Sequence, residues 1–234
     1  MLQKISLVSA MCALSFACFA ESENKEKVED REPQAKEVKS PFHAVVASGY
    51  AWSMDVDIDL KGTSWADSNT GYDGNLGASP YIMLGFGYTF FDMLEIDFGY
   101  TLYDTFTYQK NQTDPFGDKR TRFFDLSHQS ALWNATLYPY GLKMGCVSIT
   151  PFFGMGLGIG TSKVTNFQTV FYDPLEGIGL TTSIGAPNTR NSFAWQGTGG
   201  FRLQIKPSKL TLDVAYRYYN GGAFESSSSV KDYD

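Results

Sequence analysis

Cysteine is scarce in this 234-residue chain, and its placement matters more than its number. Cys12 and Cys18 lie within the first twenty residues, which leaves Cys146 alone in the rest. A single thiol can form neither an intramolecular disulfide nor a thiolate metal site. Long apolar runs are missing as well. Past the N-terminal stretch, nothing approaches the 18 or so consecutive apolar residues that a spanning helix needs. Positive charge is in deficit: 19 Lys and Arg against 25 Asp and Glu leave a formal charge of −6. That balance argues against nucleic acid as a partner. No metal, phosphate or nucleotide motif is present, so no cofactor is expected. The glycine-rich "GMGLGIG" lies inside a strand-like alternation and opens no helix, which removes it as a phosphate loop.

What is abundant is tyrosine, phenylalanine and glycine, a mixture that suits many strands and few helices. The first twenty residues, "MLQKISLVSAMCALSFACFA", place one lysine before an apolar stretch and end in small residues at Ala20. This is the layout of a secretory signal peptide, with cleavage expected after Ala20. Acylation at Cys18 is a second reading, weakened by Phe16 and by the early position of Leu14. Residues 21–41 mix charges with Pro33 and Pro41 and hold almost no apolar side chains. Such a segment cannot offset its ordering entropy by burial and reads as a flexible periplasmic tail. Residues 42–234 form the remaining domain.

From His43 on, segments of about ten residues alternate apolar and polar positions, the period of a strand. In "MLEIDFGYTLYD", Leu94, Ile96, Phe98, Tyr100 and Leu102 share one parity, while Glu95, Asp97, Gly99 and Thr101 share the other. Ile82, Leu84, Phe86 and Tyr88 repeat the apolar row across a tight turn at Phe91-Asp92. Seven such segments are joined by connections that run long, short, long, short, long, short. An all-β, up-and-down antiparallel barrel with one decorated end has this rhythm. Outer-membrane barrels show it as short periplasmic turns and long extracellular loops. Apolar rows then face lipid and end in aromatics such as Tyr88, Phe90, Tyr100 and Tyr218, the girdle pattern.

The opposite parity carries Glu95, Asp97, Arg202, Asp213 and Arg217 at mid-strand, which assigns them to the lumen. Charges in a narrow interior are expensive unless paired, so these should bridge it as a network. An interior of about eight strands is just wide enough to be filled by side chains. A polar plug is therefore expected, with a narrow porin-like channel for small solutes as the alternative.

Phrases such as "YIMLGFGYTF", "ITPFFGMGLGIG" and "LTLDVAYRYYNGG" resemble the small OmpA-like and opacity-protein outer-membrane barrels over roughly residues 42–222. The resemblance implies an eight-strand transmembrane barrel among outer-membrane lipid and lipopolysaccharide. It also implies a role as envelope component, surface antigen or adhesin, with a host or extracellular protein bound through the loops. Loop aromatics Trp65, Tyr72, Phe116, Phe167 and Phe171 are the expected contacts, in loops 60–78, 109–122 and 164–189. His128-Gln129-Ser130 resembles the His-x-Ser pair of lipid A deacylase barrels, which implies a serine nucleophile activated by histidine. Its parity matches Asn134 and Thr136, the lumen face, and no glutamate stands nearby to orient the histidine; no catalytic residue is assigned. Seven strands cannot close an even-numbered barrel. The chain is therefore expected to lack its final strand, with the first and seventh strands adjacent across a gap.

Overall fold

A computed structural model describes residues 3–16, 41–56, 76–91, 93–113, 119–144, 147–172, 179–183, 187–205 and 210–224. Its strands are β1 (Gln3–Phe16), β2 (Phe42–Val56), β3 (Ala78–Phe90), β4 (Leu94–Tyr103), β5 (Phe106–Thr113), β6 (Lys119–Leu137), β7 (Leu142–Met144), β8 (Val147–Tyr172), β9 (Gly179–Ser183), β10 (Asn188–Ile205) and β11 (Leu210–Phe224). Every pairing among them is antiparallel. Strands β1, β2, β3, β4, β6, β8, β10 and β11 pair in that order, and β11 returns to β1. The result is a closed eight-stranded barrel.

Register sets its dimensions. From Trp52 the ladder passes through Val8, Tyr218, Gly197, Met155, Ala135, Ile96 and Tyr88 and re-enters β2 at Phe42, ten residues before its start. Eight strands with that stagger tilt by about 40° and enclose a backbone cylinder of roughly 8 Å radius. Such a bore fills with side chains.

Alternation follows the expected parity. Ile82, Leu84 and Phe86 of β3 are exposed while Tyr81 and Met83 are buried. In β8, Phe153, Met155, Leu157 and Ile159 are exposed, and Phe152 points in. Outer aromatics touch from strand to strand: Phe86 meets Phe98 at 5.7 Å, and Phe98 meets Trp133 at 5.3 Å. The β3–β4 hairpin closes with Phe91 in the left-handed region at φ 53°. Met93 N–H donates to the Phe90 carbonyl at 3.1 Å.

Two expectations change. The first and seventh expected strands, β2 and β11, are not neighbours. Gln3–Phe16, the segment that reads as an export leader, lies between them and pairs with both. An eighth strand satisfies backbone donors and acceptors that two bare edges would leave open. The second and third long loops are also largely strand. β5 pairs β6 to Thr113↔Lys119, β6 pairs β8 to Lys119↔Tyr172, and β8 pairs β9. Residues 109–113, 119–122, 164–172 and 179–183 thus form one four-stranded ribbon continuing past the barrel rim. Its origin is local. β4 breaks at Asp104, whose side chain accepts the Thr105 N–H at 2.8 Å, while the buried Ser79 hydroxyl donates to the Asp104 carbonyl at 2.8 Å. The chain then resumes on β6 as β5. Residues 60–75 of the first expected loop lie outside the described residues.

Candidate functional site

Within the lumen, β4, β10 and β11 bring three charges together near the short-turn end. Arg202 donates from Nε and Nη2 to Asp213 at 2.8 and 2.7 Å, and from Nη1 and Nη2 to Glu95 at 2.5 and 3.1 Å. Both carboxylates are buried, and the Arg202 side chain is 18% exposed. Its guanidinium also lies 3.9 Å from the Tyr138 ring centre, a cation–π contact. Tyr138 packs on Phe152. His43 Nε2 reaches 4.0 Å from Glu95. A planar cation clamped between two carboxylates and packed on the Tyr138 ring occupies this end of the lumen.

Further along the axis, Asp97 accepts from Asn134 Nδ2 at 2.8 Å, and Asn134 Oδ1 accepts from Gln196 Nε2 at 2.6 Å. The chain links β4, β6 and β10. Its partner face on β8 is a row of glycines, and the reason is space. At Gly156 a Cβ would collide with the Asn134 amide oxygen. Arg217, 2% exposed, places Nη2 3.4 Å from Met83 Sδ and its guanidinium 5.4 Å from the Tyr81 ring centre. A cavity of about 60 Å³ remains among these groups. It is large enough to hold water.

Toward the ribbon end, His128 Nδ1 lies 2.9 Å from Ser162 Oγ and Nε2 lies 2.7 Å from the Tyr219 hydroxyl. Both ring nitrogens are engaged away from Ser130, which is also buried on the lumen side. Tyr103 packs against His128 and Tyr219 at 5.3 and 5.8 Å. Above them stands an aromatic layer. Tyr108 stacks on Phe124 at 4.6 Å, and Phe124 meets both Phe224 and Phe167. Phe106 and Leu126 are fully buried beside it.

All five expected lumen charges, Glu95, Asp97, Arg202, Asp213 and Arg217, point inward. Arg202, Glu95 and Asp213 meet directly, and Asp97 joins an amide chain instead. Of the expected loop contacts, Phe167 is half-buried against Phe124, so it is no exposed anchor. The β6–β8 ladder shifts register between Phe123 and Asp125, opposite Asn166 with its positive φ of 53°, and this irregularity turns Phe167 onto the aromatic layer. Phe171 occupies a ribbon position opposite Arg120 and Leu180. Trp65, Tyr72 and Phe116 lie outside the described residues. Sequence reasoning missed Asn134 and Gln196 as lumen connectors and Tyr138 as the ring on Arg202. It also missed the aromatic layer, although Phe124 and Leu126 share the parity of His128 and could have been read inward.

These features define a class: a closed antiparallel barrel, apolar outside, with a filled polar and aromatic lumen and a projecting ribbon. No protein-family model matches the chain. No curated protein matches it either. Among solved structures, the translocator domain of autotransporter NalP from Neisseria meningitidis is similar over 95% of this chain and 88% of its own, with 9% identity and a TM-score of 0.38. Ail, the attachment invasion locus protein of Yersinia pestis, solved with the heparin analogue sucrose octasulfate, aligns over 95% of this chain and 99% of its own, with 8% identity and a TM-score of 0.24. Likenesses this distant add nothing to the barrel that the strand ladder itself defines.

Proposed function

We propose that the chain is a non-enzymatic outer-membrane barrel whose lumen is a structural plug and whose working surface is the ribbon. It serves as an envelope surface protein, an antigen or adhesin, that presents the ribbon to a host or extracellular protein. The barrel wall supports the membrane assignment. Met155 is 67% exposed and Phe86 63%, within rows of exposed apolar residues on β2, β3, β4, β8, β10 and β11, joined by Trp133 on β6. In water, so continuous an apolar surface would drive association. From Ile149 to Ile159 it spans roughly 25 Å along the axis at the tilt above, the height of an outer-membrane apolar band.

The observation that carries the surface role is the ribbon itself. Beyond Ser162, level with His128, β8 runs on to Tyr172, roughly 30 Å of further strand. A plugged barrel needs no such extension to stay folded, whereas a receptor surface needs height above the lipopolysaccharide. Replacing residues 109–122 and 165–187 by short turns should leave a folded, heat-modifiable barrel and abolish adhesion of expressing cells to host cells. Undiminished adhesion by that variant sinks the proposal.

A hydrolase reading is disfavoured by His128, which bonds Ser162 and Tyr219 inside the barrel. Ser130→Ala should leave lipid A acylation unchanged in expressing cells; a shift to the substrate's mass on substitution would revive catalysis.

A further inference from the structure

We propose that the seam between β2 and β11 is a strand-acceptor site, with Gln3–Phe16 as its tethered, exchangeable occupant. The site binds one extended segment, antiparallel to both edges and directed from the ribbon end toward the short-turn end.

Three observations converge on it. First, the occupant is held on both sides: β1 pairs β11 from Gln3↔Phe224 to Phe16↔Leu210, and β2 from Ile5↔Val56 to Leu14↔Val46. Second, its polarity is forced. β2 leaves the short-turn end at Phe42, which pairs with Tyr88, and β11 also rises toward the ribbon end. Two edges that run the same way cannot pair antiparallel with each other, and one descending strand satisfies both. Third, the seam selects composition. Its outward row continues Trp52 and Tyr50 on one side and Tyr216 and Val214 on the other, all exposed; its inward row is flanked by Ala47, Ala51, Ala215 and the buried Asp213 and Arg217. An apolar outward row and a small-residue inward row fit that slot. Val8, Ala10, Cys12 and Leu14 stand in register with the outward row; Ser9 and Ala13 stand level with Arg217 and Asp213.

The segment in the slot has the composition of an export leader, so occupation and leader cleavage exclude one another. Unprocessed chain closes on itself. Removal of the leader takes this occupant away, and the seam is then a β-augmentation site for a strand of the same polarity and patterning as Gln3–Phe16.

Engineered disulfides test this on the full chain, refolded in detergent from unexported protein. Directly opposed residues in an antiparallel ladder have Cα separations that suit a disulfide. Cys12 is opposite Ser48. Ser48→Cys should therefore crosslink to Cys12 under mild oxidation, and Ala47→Cys, on the other face, should not. Exchange is tested in the full chain carrying Ala10→Pro, Cys12→Ser and Ser48→Cys, in which β1 can neither pair nor crosslink. A synthetic peptide of residues 3–16 should crosslink, through its own cysteine, to the thiol introduced on β2 of this variant and restore heat-modifiable migration. A peptide with the order of residues scrambled should do neither. No Cys12 crosslink in the Ser48→Cys chain, or equal crosslinking by Ala47→Cys, overturns the register. Equal capture of both peptides, capture of neither, or heat-modifiable folding of the Ala10→Pro chain without peptide overturns the acceptor site.

Discussion

Arg202 makes four hydrogen bonds and a ring contact with one planar group, so its removal leaves two buried carboxylates without their shared cation. Breaking a buried ionic cluster from one side costs about 3–5 kcal/mol, far more than the intact cluster is worth against apolar packing. Arg202→Met should lower unfolding free energy in detergent by that order, as read by urea titration. Adding Glu95→Gln and Asp213→Asn should recover most of the loss, because the stranded charges are then gone. A triple variant no better than the single one would show that shape, and not charge, governs this layer. Glycine acts at the same scale. At Gly160 a Cβ would stand 2.8 Å from the Gly221 carbonyl oxygen and 3.0 Å from the Tyr219 hydroxyl. Gly160→Ala should therefore destabilise by about 1–3 kcal/mol through overpacking, with Gly199→Ala, which meets nothing closer than 3.9 Å, as the near-silent control.

Strands and their connections were legible to different degrees. Period-two alternation in β3, β4 and β11 gave their faces directly, because one side meets polar lumen and the other an apolar medium. The ribbon was not legible. Residues 109–113 and 119–122 are polar on both faces, so the parity signal vanishes just where the sheet leaves the barrel. Only the ladders of β6 with β5 and with β8 show that pairing continues. Phe167 was misjudged for the same reason: a loop aromatic reads as an exposed anchor until its strand is known. Topology is testable at this scale. Protease or antibody added to intact cells should reach residues 164–189 and should not reach the "KPSK" turn at 206–209. Labelling of that turn on sealed cells would invert the barrel.

For the molecule as a whole, three stacked side-chain layers cross the bore: the Arg202 clamp, the Asn134–Gln196 chain and the aromatic layer. Refolded protein in a planar bilayer should give no steady conductance. Phe124→Ala alone should leave it closed, because two layers remain beneath. Sustained unitary currents from the unaltered chain would turn the plug into a pore. Parity alone assigns the five charges to one face. It could not say which would meet, since that depends on how far the ladder climbs in one circuit. That climb has a further consequence. Sliding one strand by two residues at the seam keeps every face assignment but changes the ten-residue climb to eight or twelve. The radius then shrinks or swells by roughly 0.7 Å. Arg202 reaches from its own strand to Glu95 on the far wall through bonds of 2.5 and 3.1 Å, with no slack for a wider bore. The ion cluster is thus a calliper: it gauges the barrel's girth and rejects closures that the strands alone would accept.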